Sequence, residues 1–98
     1  MNAEIIRFLD DLRRNNNTVW FHENRERYDK LRCAFINEEQ ELIERISVFD
    51  PDIRGLDARK CLFRINRDIR FSLDKSPYKT YMSACIAQGG RHSIRGAY

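Results

Sequence analysis

Cys61–Ala87 reads CLFRINRDIRFSLDKSPYKTYMSACIA, and the fold turns on whether its two alternating runs are strands of one sheet. In the first run Cys61, Phe63 and Ile65 alternate with Leu62, Arg64 and Asn66. A period of two is what an extended chain shows when one face is buried and the other wet. A second alternating run, Tyr81–Ala87, is followed by Gln88-Gly89-Gly90-Arg91-His92, a glycine turn suited to reversing the chain into a third run at Ser93–Tyr98. The runs together predict a small antiparallel sheet of about three strands.

Upstream of this stretch the period changes. Ile5, Phe8, Leu9 and Leu12 recur at helical spacing and predict a helix over Ala3–Arg14, stopped by Asn15-Asn16-Asn17. Thr18 can cap a second helix, along which Phe21, Asn24, Tyr28, Leu31, Phe35, Glu38, Leu42 and Ile46 follow at alternating spacings of three and four. That stripe, with its two polar interruptions, predicts one long helix over Val19–Val48, kinked near Asn37 and ended by Asp50-Pro51. The expected fold is α+β: two N-terminal helices, the second long, packed on the sheet. It is a single domain over residues 1–98, with 1–53 helical and 54–98 holding the sheet and a basic motif. A sheet that stops in its third strand leaves an open edge. The expectation is therefore that a second copy or further polypeptide covers that edge, and that this chain is the N-terminal portion of a longer fold.

Hydrophobic residues make up 42% of the chain, enough to exclude a disordered class. No apolar run approaches the roughly 18 residues that span a bilayer, and MNAEIIRFLDDL is too acidic for a signal peptide, which points to a cytoplasmic protein with no membrane partner. Cys33, Cys61 and Cys85 are odd in number, far apart and in no CxxC pair, so they suggest neither a disulfide framework nor zinc and read as buried small hydrophobes. Charge divides sharply along the chain. Residues 1–53 hold eight Lys and Arg against twelve Asp and Glu, whereas residues 54–98 hold ten against three. Localised basicity suits phosphate-bearing partners, and it equally keeps a surface soluble.

The cations concentrate between Arg64 and Lys79. Arg64, Arg67, Arg70, Lys75 and Lys79 stand there with Asp68 and Asp74, interleaved by Phe71, Pro77 and Tyr78. An extended chain puts Arg64, Asn66, Asp68 and Arg70 on one face and Ile65, Arg67, Ile69 and Phe71 on the other. A helical turn from Asn66 to Phe71 would instead bring Arg67 and Arg70 together. In either geometry an Arg fork can grip a phosphate or carboxylate, with Asp68 fixing one guanidinium. The competing reading is an ion-pair network in which Asp68 pairs with Arg64 or Arg70. Asp74-Lys75-Ser76-Pro77-Tyr78-Lys79 is turn chemistry, a rigid loop that presents Lys75, Tyr78 and Lys79 to an anion or merely hydrates them.

Other signals are weaker. Two adjacent SxxK matches, from Ser72 and Ser76, sit in a Lys-rich loop where the pattern is cheap. His22 and His92 lie apart with no HExxH spacing, so no metal site is assigned, and Gly89-Gly90-Arg91 is neither a Walker loop nor a dinucleotide fingerprint. The sequence names no cofactor. Trp20 and Phe21 read as core rather than as a stacking platform.

Arg64, Arg67, Asp68, Arg70, Phe71, Lys75, Pro77 and Tyr78 together fit RxxRDxRFxxxKxPY, which resembles the signature of a bacterial conserved hypothetical family, domain of unknown function 2461. FLDDLRRNNNTVWFHENRERY, Phe8–Tyr28, is similar to that family's FLxxLxxNNxxxWFxxN start. The resemblance implies no activity, because the family is named for the lack of one, and it implies a longer protein of which this chain matches the N-terminal part. The functional expectation is an anion site for a phosphate- or carboxylate-bearing small molecule, built from Arg64, Arg67, Asp68, Arg70, Lys75, Tyr78 and Lys79. An enzyme's substrate site and a binding module both fit it. The alternative is a structural and interaction element whose Arg-Asp motif is an ion-pair network and whose open edge pairs with a partner, a second copy among the candidates. Nucleic-acid binding through the basic face is a third, weaker reading.

Overall fold

A computed structural model of the protein describes residues 3–91. Three α-helices occupy the first half: α1 (Ala3–Arg14), α2 (Thr18–Glu23) and α3 (Arg25–Ile46). Two single 3-10 turns follow, Pro51–Ile53 and Ala58–Lys60. None of these helices is long and apolar enough to cross a membrane.

The first helix forms where the apolar spacing places it, and Ile5, Phe8, Leu9 and Leu12 are its buried face. Asn15 ends it, with its side-chain amide donating to the Asp11 carbonyl at 2.9 Å. The cap of α2 is Asn17 rather than Thr18, because the Asn17 side-chain oxygen accepts from the Trp20 N–H at 2.8 Å. The long second helix is broken at Asn24 and unbroken through Asn37. Asn24 donates its side-chain amide back to the Trp20 carbonyl at 2.9 Å, the local competition with helix bonding to which Asn is prone. Asp50-Pro51 closes the helical half as expected, with Asp50 capping the first 3-10 turn.

The expected antiparallel sheet is not formed. Among the described residues there is no strand, and the fold is mostly helical rather than α+β. Two isolated antiparallel bridges, Leu62 with Ala84 and Asn66 with Tyr78, stand where the ladder was expected. Four positions separate Leu62 from Asn66 whereas six separate Tyr78 from Ala84, so the bridges do not share a register. The backbone chemistry also withholds donors. The Cys61 N–H is taken by the Ala58 carbonyl of the second 3-10 turn at 2.9 Å, and Pro77 has none to give. Alternation therefore reports extended backbone without a sheet. The third run, Ser93–Tyr98, lies outside the described residues.

The chain divides into two compact units, the first running up to Arg32 and including Arg64–Met82, the second Cys33–Phe63 with the chain from Ser83 onward. In the first unit an aromatic cluster joins α1, α2 and the start of α3. Phe8 lies 5.8 Å from both Trp20 and Tyr28, and Phe21 lies 5.1 Å from Tyr28 and 4.1 Å from Tyr78, centre to centre. In the second unit Ile43, Ile46, Ile53, Ala58, Cys61 and Ile86 form the core. Gln40 braces it, donating to the Leu56 carbonyl at 3.1 Å and accepting from the Ala58 N–H at 3.0 Å. Gly90 has φ +88°, and a Cβ there would stand 2.7 Å from the Lys60 carbonyl oxygen, so only glycine fits this turn.

Candidate functional site

The basic motif belongs to the first unit. From Arg64 to Ile69 the extended alternative holds: Arg64, Asn66 and Asp68 are exposed, while Ile65 is buried and Arg67 and Ile69 are half-buried. The chain turns at Arg70 and Phe71, and the pattern ends there, with Phe71 standing 95% exposed. Two backbone bonds flank the Asn66–Tyr78 bridge: Lys79 N–H to the Ile65 carbonyl at 2.8 Å and Arg67 N–H to the Pro77 carbonyl at 2.9 Å. Residues 68–76 are thus a loop closed at its neck.

Arg67 cross-links that loop from within. Its Nη1 donates to the Ser76 carbonyl at 3.0 Å and pairs with the Asp74 carboxylate at 3.3 Å, and its Nη2 donates to the Ser72 hydroxyl at 3.4 Å. Asp74 in turn accepts from the Ser76 N–H at 2.9 Å and hydroxyl at 2.6 Å. Lys75 closes the outer part, donating Nζ to the Ile69 carbonyl at 2.6 Å. Asp68 is gripped by both arms of the Arg70 guanidinium, at 3.0 and 2.8 Å, and Arg70 lies 5.7 Å from the Phe71 ring centre. The expected Asp68–Arg70 pair is therefore present. Arg64 stands in solvent and acts on Asp68 only through its charge.

The neck of the loop is fastened to the turn after α1 by a residue read in the sequence only as a helix stop. The Asn16 amide donates to the Tyr78 carbonyl at 2.8 Å, and its oxygen accepts the Tyr78 N–H at 3.0 Å, so one side chain satisfies both backbone groups as a neighbouring strand would. The Tyr78 ring, 5% exposed, stacks on Phe21.

Beside this junction opens a cleft of about 530 Å³. Of the residues singled out in the sequence, Arg67, Asp68, Tyr78 and Lys79 line it, whereas Arg64, Arg70 and Lys75 do not. Arg13, Asn16 and Tyr81 line it too, and sequence reasoning missed them as site residues. The paired asparagines of the NNN run were the signal that could have found Asn16. Nothing in the sequence marks Arg13, which reaches the rim from α1 while paired with Asp10 at 2.8 Å. Lys79 Nζ lies 6.0 Å from the centre of the Tyr81 ring, a cation against an aromatic face.

Both cleft carboxylates are held below the ordinary aspartate range. The Arg70 fork does this for Asp68, while for Asp74 hydrogen bonds from Ser76 come first and Arg67 adds to them. Carboxylates stabilised in the charged form make poor general acids near neutrality. Among the described residues no group of three or more His, Cys, Asp and Glu is placed to hold a metal ion. What the cleft offers is fixed charge, hydroxyls and one exposed aromatic face.

A family model described as conserved hypothetical protein (DUF2461) matches residues 4–98. No curated protein and no solved structure matches the chain.

Proposed function

The chain belongs to the conserved hypothetical protein family DUF2461, whose description carries no activity, and we propose from the site alone that the cleft binds a phosphate- or carboxylate-bearing ligand. The observation that carries this reading is a charge balance. The cleft lining and its ion-pair partners comprise Arg13, Arg67, Arg70 and Lys79 against Asp10, Asp68 and Asp74, four cations to three carboxylates. Each of those carboxylates already faces an arginine, so an incoming anion meets little repulsion and a cationic excess. Lys79 and Arg13 are the residues assigned to grip it, Thr80 and Ser76 supply hydroxyls, and Tyr81 offers a face to any planar part of the ligand.

The competing reading is structural, and Arg67 and Lys75 favour it, because their donors are spent on the loop itself. The two readings divide the motif between them: Arg67, Asp74 and Lys75 shape the loop, while Lys79 and Arg13 meet the ligand. Calorimetric titration of inorganic phosphate and of citrate at fixed ionic strength separates them. Lys79→Ala is expected to weaken binding about tenfold, the effect of losing one charge-assisted hydrogen bond. Arg64→Ala, away from the cleft, is expected to leave it unchanged. No binding by either anion, or equal weakening by both variants, contradicts the proposal.

A further inference from the structure

The three cysteines differ in a way that their spacing in the sequence hides. Cys33 is exposed on α3, Cys61 is buried and Cys85 is half-exposed, and all three are free thiols. The Leu62–Ala84 bridge is antiparallel, so the residues one step outward from it, Cys61 and Cys85, stand opposite one another. Their backbones are joined directly, the Cys85 N–H donating to the Cys61 carbonyl at 2.8 Å. This is the one bond between them, since the Cys61 N–H goes to Ala58, and facing positions of an antiparallel pair have α-carbons about 4.5–5.5 Å apart. That lies inside the span of about 4.4–6.8 Å found across disulfides.

We propose that Cys61 and Cys85 are a redox-active pair that closes to an intramolecular disulfide in exchange with a low-molecular-weight disulfide such as oxidised glutathione. Their unequal access sets the order of events. Cys85, half-exposed, attacks the small disulfide as a thiolate; a Cys85–glutathione mixed disulfide forms and one glutathione leaves. Cys61, seated among Ile43, Ile46, Ile53 and Ile86, then gives up its proton and attacks the Cys85 sulfur, expelling the second glutathione, which is protonated. Two electrons pass from the protein thiols to the small disulfide, and the protein loses two hydrogens and gains one S–S bond. Burial pushes the Cys61 thiol up, which makes it the slower, resolving partner.

The bond would bracket residues 62–84, the whole segment carrying the Arg64–Lys79 motif, in a closed covalent loop. Oxidation would thereby restrict the freedom of the candidate site's own chain.

The test uses the full chain incubated with oxidised glutathione, alkylated, and digested with trypsin without reduction. The expected product is the peptide of residues 61–64 linked to that of residues 80–91, dissolved by dithiothreitol, with Cys33 alkylated. Cys61→Ser is expected to stall at the Cys85–glutathione adduct. Cys85→Ser, which alters a half-exposed position, should abolish the cross-link and the adduct. Wild-type protein in which Cys61 and Cys85 are both alkylated, carry separate glutathiones, or link only through Cys33 would overturn the proposal.

Discussion

The neck and the tip of one cationic loop are held in opposite ways. At the neck, Tyr78 is fixed by partners far away in the chain: Asn16 pairs with both of its backbone groups across 62 positions, and Phe21 stacks on its ring. At the tip, among the described residues, Asp68, Arg70 and Lys75 hydrogen-bond only within the loop, and Phe71 and Leu73 stand fully in solvent. Both regions belong to the same stretch, Arg64–Lys79, and that stretch is rich in charge. What separates them is whether their contacts are long-range. The neck is part of the fold, and the tip is displayed by it.

Substitutions should therefore fall off steeply from neck to tip. Tyr78→Ala removes a buried, stacked ring and is expected to cost about 3–5 kcal/mol, read as a lower urea midpoint. Asn16→Ala strips two backbone groups of their partner and should cost about 1–3 kcal/mol, with faster hydrogen exchange at the Tyr78 amide. Equal loss from an alanine at Asn15, which bonds only within its own helix end, would erase the distinction. At the tip, Phe71→Ala and Leu73→Ala should each stay within about 0.5 kcal/mol of wild type, because neither side chain is buried.

The smallest effect concerns pH. Asp68 and Asp74 are fully exposed and their folded pKa values are depressed, first by Arg70 and Ser76 respectively. A group depressed by folding contributes stability that is present above its unfolded pKa, about 3.9, and is lost as pH falls through the folded value. The loss should thus begin below about pH 5 and be slight. Carboxyl titration followed by NMR should place both midpoints below that of an unstructured aspartate. A midpoint above it would show that the Arg70 and Ser76 contacts are not maintained.

The helices were largely legible because periodicity is a local property. Ala3–Arg14 follows from four apolar positions on one face. The break at Asn24 was not legible, since Asn24 falls on the apolar stripe and its bond back to Trp20 is visible only in three dimensions. The sheet was misread for a related reason. Alternation records that a chain is extended and has one wet face, which is true of Arg64–Ile69, but a ladder needs a partner in register, and the two bridges do not share one. In the site, residue types identified Arg67, Asp68, Tyr78 and Lys79 as belonging together. They could not show that Arg67 faces inward to its own loop, or that Arg13 from α1 and Asn16 from the turn after it complete the cleft.

The contrast between neck and tip is tested most directly by mapping where an anion acts. Titrating inorganic phosphate into isotopically labelled protein at constant ionic strength should shift the Asn16 side-chain amide and the backbone amides of Lys79, Thr80 and Tyr81 along saturable curves, leaving those of Phe71–Lys75 in place. Shifts confined to Arg70–Lys75, or non-saturating shifts of equal size at every basic residue, would contradict a binding cleft at the neck.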